Sequence, residues 1–138
     1  MIIGDTGFWL AVANRADRHH EAATRALGEF DEPLITTWPV MAETCHLLLR
    51  RLSSQAQLLY MRSFVSGAFA VFSLREEHAP RIGQRMRKYS DLPMDLADAS
   101  LVVLAESLGH GRIFSTDQRD FRTYRWKNRK PFENLLRI

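Results

Sequence analysis

The chain has 138 residues, 46% of them hydrophobic and 25% charged, a globular balance that excludes a disordered tail protein. A chain of this length buries roughly 70% of its unfolded surface, so it forms a core without staples and reads as one domain over residues 1–138. The net charge is +3, but residues 112–138 hold eight Arg or Lys against three Asp or Glu. A basic segment on a slightly acidic body suits a nucleic-acid partner and equally suits a solvated tail. Apolar runs fall well short of the ~20 residues of a membrane helix, and Met1-Ile2-Ile3-Gly4-Asp5 has no basic leader region. The one cysteine, Cys45, excludes an internal disulfide and a cysteine metal cluster, and it points to a reducing, cytoplasmic setting.

Met1–Asp5 is predicted as a strand ending in an acid, followed by short helices over Phe8–Asn14 and His19–Phe30. Pro33–Thr37 is a second strand. Thr37 or Trp38 then caps a helix with Pro39 in its first turn, running to about Leu52. A further helix runs from Ser53 to Ser66, and Ala68–Leu74 is a third strand. Glu76–Tyr89 reads as one helix with a basic face, and Asp95–Leu108 as a buried helix, apolar nearly all round, ended by Gly109. Arg112–Thr116 is a fourth strand, with a short fifth near Tyr124–Trp126. Strands alternating with helices predict an α/β fold: a three-layer sandwich with four or five parallel strands flanked by helices. Ligands of such sheets sit beyond the carboxyl ends of the strands.

Several acids stand where a carboxylate is costly. Asp5 ends the first strand, either as a helix cap or as a ligand. Glu43 flanks an apolar helical stripe, with Val40 three residues before it and Leu47 four after. Asp95 and Asp98 open the most apolar helix, where capping alone accounts for Asp95 more readily than for Asp98. Asp117 follows the fourth strand, and Asp120 reads as a turn or salt-bridge residue. In an α/β frame Asp5, Glu43, Asp98 and Asp117 converge on one sheet edge. Their mutual repulsion is relieved by a hard divalent cation, Mg²⁺ or Mn²⁺. Zinc is disfavoured, because no Cys or His stands at ligand spacing. Walker and dinucleotide-binding glycine motifs are absent.

The segments Ile-Ile-Gly-Asp5-Thr6-Gly7, Trp-Pro-Val-Met-Ala-Glu43, Asp-Leu-Ala-Asp98 and Ile-Phe-Ser-Thr116-Asp117-Gln-Arg-Asp-Phe121 together resemble the PIN-domain ribonucleases, in particular the VapC-type toxins of toxin–antitoxin pairs. The match keeps the family order and spans residues 2 to 121. The resemblance implies that Asp5, Glu43, Asp98 and Asp117 are the metal-binding catalytic acids, with Asp95 as an additional ligand candidate. Thr6 and Thr116 resemble the hydroxyls that hold a carboxylate or water beside the site. Gly7 departs from the family, in which a serine is common at that place. An Mg²⁺- or Mn²⁺-dependent hydrolysis of RNA is implied, with a cognate antitoxin and a homodimer as family expectations. The alternative is a degenerate PIN domain that binds RNA or protein without cutting.

Substrate grip is expected from Arg85 and Lys88 on the basic helix, with Arg81 and Arg87 beside them, and from Arg119 and Arg122 after the last acid. Tyr89, Tyr124 and Trp126 either stack on unpaired bases or pack in the core. Arg50 and Arg51 are expected to meet a partner protein.

Overall fold

The computed structural model describes residues 1–138. In chain order the elements are β1 (Ile2–Gly4), α1 (Thr6–Ala13), α2 (His20–Glu29), β2 (Leu34–Thr37), α3 (Trp38–Arg51), α4 (Ser54–Val65), β3 (Ala70–Phe72), α5 (Ala79–Lys88), α6 (Leu96–Leu108), β4 (Arg112–Phe114), α7 (Gln118–Thr123), β5 (Arg125–Trp126), β6 (Lys130–Pro131) and β7 (Glu133–Asn134). The main sheet has the order β3-β2-β1-β4-β7, and every neighbouring pair in it is parallel. Helices pack on this sheet, as the alternating pattern predicts.

The sheet reverses its order between β1 and β4, the place where α/β folds open a crevice. Ile3 pairs with Ile113 and Gly4 with Phe114, so Asp5 emerges beside Ser115. Ile2, Ile3, Ile113 and Phe114 are fully buried, the mark of parallel strands covered on both faces. The α6 helix supplies Leu101, Val102, Leu104 and Ala105 to the same core. It ends at Gly109, whose φ of 80° is a left-handed cap that a glycine adopts without strain.

A buried hydroxyl relay ties β2 to α6. Ser100 Oγ donates to Ala97 O at 2.6 Å, which leaves Thr37 Oγ1 to donate to Ser100 Oγ, also at 2.6 Å. Thr37 is the N-cap of α3, so the relay fixes the start of that helix against α6.

Three expectations are corrected. The Glu76–Tyr89 helix is split into a 3₁₀ turn over Glu76–His78 and α5 from Ala79, because Pro80 has no N–H and belongs in a first helical turn. The strand near Tyr124–Trp126 forms, but it pairs antiparallel with β6 in a separate ribbon. The fifth strand of the main sheet is β7, where Arg112 pairs with Glu133 and Ile113 with Asn134.

Candidate metal centre

The sheet edge opens into a cleft of about 360 Å³ lined by six acids: Asp5, Glu43, Asp95, Asp98, Asp117 and Asp120.

Asp5 sits between β1 and α1 and is only 5% exposed. It caps α1, with Oδ1 accepting from the Phe8 N–H at 2.8 Å. Its Oδ2 accepts a short hydrogen bond from the buried Ser115 hydroxyl. Burial pushes the Asp5 carboxyl up to about 6; the Ser115 and Phe8 hydrogen bonds oppose this, and the neighbouring charge of Asp117 adds to it.

Asp95 is the N-cap of α6 and accepts from the Asp98 N–H at 2.8 Å. The capping reading of Asp95 therefore holds, although its side chain also lines the cleft. Asp98 is half-buried in the first turn, with Tyr124 Oη donating to its Oδ2 at 3.3 Å. Burial, then the charge of Asp95, pushes Asp98 up to about 7. Glu43 is half-buried on α3 and takes part in no ion pair.

Asp117 caps α7 by accepting from the Asp120 N–H at 3.1 Å. Asp120 does double duty. It pairs with Arg119 Nε at 3.5 Å, as the salt-bridge reading expects, and it also lines the cleft. Burial and the adjacent Asp117 raise its carboxyl above the ordinary range.

The hydroxyl that binds Asp5 belongs to Ser115, which the sequence pattern does not single out. Neither Thr6 nor Thr116 holds a carboxylate. Thr6 Oγ1 is buried without a partner, and Thr116 makes no side-chain hydrogen bond. Ser115 does the work: while it donates to Asp5, its Oγ accepts from the Asp117 N–H at 3.0 Å. Successive side chains at a strand end alternate in direction, and this turns Ser115 to Asp5 and Thr116 to α1. A Cβ on Gly7 would fall 1.8 Å from Thr116 Oγ1, so the missing side chain at residue 7 makes room for that threonine.

The basic and aromatic candidates divide. Arg85 is 6% exposed, with Nε and one terminal nitrogen unpartnered, so burial withdraws it from any surface grip. Lys88 lies over the Tyr89 ring, 5.5 Å from its centroid. Arg119 and Arg122 are exposed on α7. None of these four lines the acidic cleft, whereas Arg51 does. Tyr89, Tyr124 and Trp126 are buried, which settles their reading as packing.

The donor set suits a hard cation. Apart from Arg51, every polar side chain in the lining offers oxygen, no His or Cys enters it, and burial disfavours the charged form of Asp5 and Asp98. No three of these acids stand close enough to hold an ion on their own.

The PIN-domain family model matches residues 2–127. The chain belongs to the PIN-domain family. It is 29% identical over 125 residues to Ribonuclease VapC26 of Mycobacterium tuberculosis, covering 91% of this chain and 92% of the relative. The crystal structure of Mycobacterium tuberculosis VapC20, a sarcin–ricin loop cleaving toxin, superposes with a TM-score of 0.80 at 21% identity, over 86% of this chain and 92% of that one. This likeness bears out the PIN-like five-stranded parallel fold.

Proposed function

We propose that this PIN-domain protein is a divalent-metal-dependent ribonuclease of the VapC toxin type. The observation that carries the reading is the single cleft at the β1/β4 switch point, where six carboxylates meet and Asp5 and Asp98 resist ionisation. The resemblance to a VapC ribonuclease supports the same substrate class. Asp5, Glu43, Asp98 and Asp117 are the residues that would hold the ion, with Asp95 and Asp120 as further carboxylates beside them. When bound, Mg²⁺ or Mn²⁺ supplies an activated water and neutralises charge on the phosphoryl oxygens.

The chain's own groups prepare that chemistry. Ser115 fixes the rotamer of Asp5 and the start of the Asp117 turn together. Tyr124 steadies one oxygen of Asp98. The Thr37–Ser100 relay holds the helix that carries Glu43 against the helix that carries Asp98. No general-base histidine lines the cleft, so proton removal from water falls to a carboxylate or to bulk solvent.

A protein antitoxin and a homodimeric state are proposed on the likeness to VapC toxins alone. Light scattering of the purified protein, with and without a co-expressed neighbouring gene product, tests both. No helix is long and apolar enough to cross a membrane; a cytoplasmic site of action is part of the proposal. The ribonuclease reading is tested by incubating mixed RNAs with protein in Mg²⁺, in Mn²⁺ and in EDTA. Cleavage that requires metal and disappears in Asp5→Asn is expected. RNA binding without cleavage in either metal would replace it with the non-catalytic module.

A further inference from the structure

The cleft that holds six acids is lined by only one cation, Arg51. It stands at the end of α3, eight residues after Glu43 and four after Leu47, so all three project along one face of the helix into the same cleft. Its guanidinium makes no ion pair, whereas Arg119, which does not line the cleft, is engaged with Asp120. Two helical turns separate Arg51 from Glu43, about 12 Å along the axis. The arginine thus leaves the α3 wall of the cleft two turns from Glu43, exposed and without an ion pair. An arginine that served only to neutralise the acids would be drawn into a pair with one of them.

We propose that Arg51 grips a phosphate of the bound RNA strand flanking the phosphate that is cut. The proposal rests on the ribonuclease reading for its substrate. A strand entering this cleft meets a field of negative charge, and a bound cation answers that field only at the scissile group. A planar guanidinium two turns away supplies the second anchor, with a fork of donors matched to phosphate oxygens. Two anchors fix the direction of the strand across the acids, which one ion alone does not. Arg50, its neighbour in sequence and likewise exposed, does not line the cleft and serves as the control.

The test measures binding of a short fluorescent single-stranded RNA in Ca²⁺ buffer over a range of salt, using wild type, Arg51→Ala, Arg51→Lys and Arg50→Ala. Arg51→Ala is expected to lose about tenfold in affinity, and its log–log salt slope should become shallower by roughly 0.7, one single-strand phosphate contact. Arg51→Lys should keep the wild-type slope, and Arg50→Ala should bind close to wild type. Under cleaving conditions the Arg51→Ala loss should appear in KM more than in kcat. Equal binding by wild type and Arg51→Ala, equal losses in Arg50→Ala and Arg51→Ala, or no RNA binding by wild type would each overturn the proposal. Wild-type cleavage in Mg²⁺ or Mn²⁺ is read separately. RNA that binds through Arg51 but is never cut would therefore count against the ribonuclease reading and not against the grip.

Discussion

The Ser115 hydroxyl donates to Asp5 Oδ2 and accepts from the Asp117 N–H at 3.0 Å, joining the acids of two neighbouring strands through one buried atom. Ser115 is fully buried, so no water can replace it without rearrangement. Ser115→Ala removes the donor from a charged acceptor and leaves an amide unpaired. A loss of about 1–3 kcal/mol in stability is expected from denaturant unfolding. Because groups that orient metal ligands typically govern about 10–100-fold in metal affinity, Mn²⁺ titration by calorimetry should show a weakening in that range. An unchanged Mn²⁺ affinity would mean that Asp5 holds its geometry without Ser115.

Gly7 and Thr116 form a second coupled pair. A methyl on residue 7 would overlap Thr116 Oγ1 at 1.8 Å, and a β-branched side chain has few rotamers in which to move aside. Gly7→Ala is expected to cost about 1–3 kcal/mol, the usual range for overpacking. Combining it with Thr116→Ala should recover at least half of that loss, a coupling that a double-mutant cycle measures directly. Additive losses would show that residue 7 clashes with something else.

The raised carboxyls set a pH dependence. Asp5 at about 6 and Asp98 at about 7 bind protons more tightly in the folded chain than in the unfolded one, where Asp titrates near 3.8. The folded state therefore holds more protons between about pH 4 and 7, and its stability falls as pH rises through that window. Metal-free protein should melt at higher temperature at pH 5.5 than at pH 8. Added Mn²⁺ should raise the melting temperature more at pH 8, since protons compete for the same oxygens at low pH. A metal-free melting temperature that rises from pH 5.5 to 8 would contradict the assignment.

The buried aromatics give a prediction of a different kind. Trp126 is 6% exposed, and its Nε1 donates to Pro131 O at 3.1 Å, closing the β5–β6 ribbon. Trp126→Ala should cost about 3–5 kcal/mol. Tyr124→Phe should leave RNA affinity unchanged, because that ring is fully buried and only its hydroxyl reaches the site. A large loss of RNA binding in the folded Tyr124→Phe protein would show that the hydroxyl, through its bond to Asp98, governs binding.

The sequence pattern reveals the sheet and the acids because both are governed by local rules. Ile2-Ile3 and Ile113-Phe114 are short apolar runs ending in polar residues, and α6 is apolar nearly all round. Strand-end acids are visible as charges where burial is expected. Missed features depend on tertiary placement. The β7 strand, Glu133–Asn134, has no apolar pattern and exists because the chain returns beside β4. Ser115 and Thr116 offer the same chemistry at adjacent positions, and only the pleat decides which one meets Asp5. Arg85 reads as part of a basic surface, yet α5 turns it into the seam with α6. Arg51 carries a signal that was available, since its spacing from Glu43 and Leu47 already places it on the acids' face of α3.

The ends of the RNA products test the central claim most directly. Attack by a metal-activated water with departure of the 3′-oxygen leaves a 5′-phosphate and a 3′-hydroxyl, whereas attack by the neighbouring 2′-hydroxyl leaves a cyclic phosphate. RNA cleaved by the wild-type protein in Mn²⁺ should yield 5′-phosphate and 3′-hydroxyl ends by mass spectrometry, with none formed in EDTA or by Asp5→Asn. Cyclic-phosphate products, or cleavage that persists in EDTA, would contradict a carboxylate-held metal as the source of the reaction.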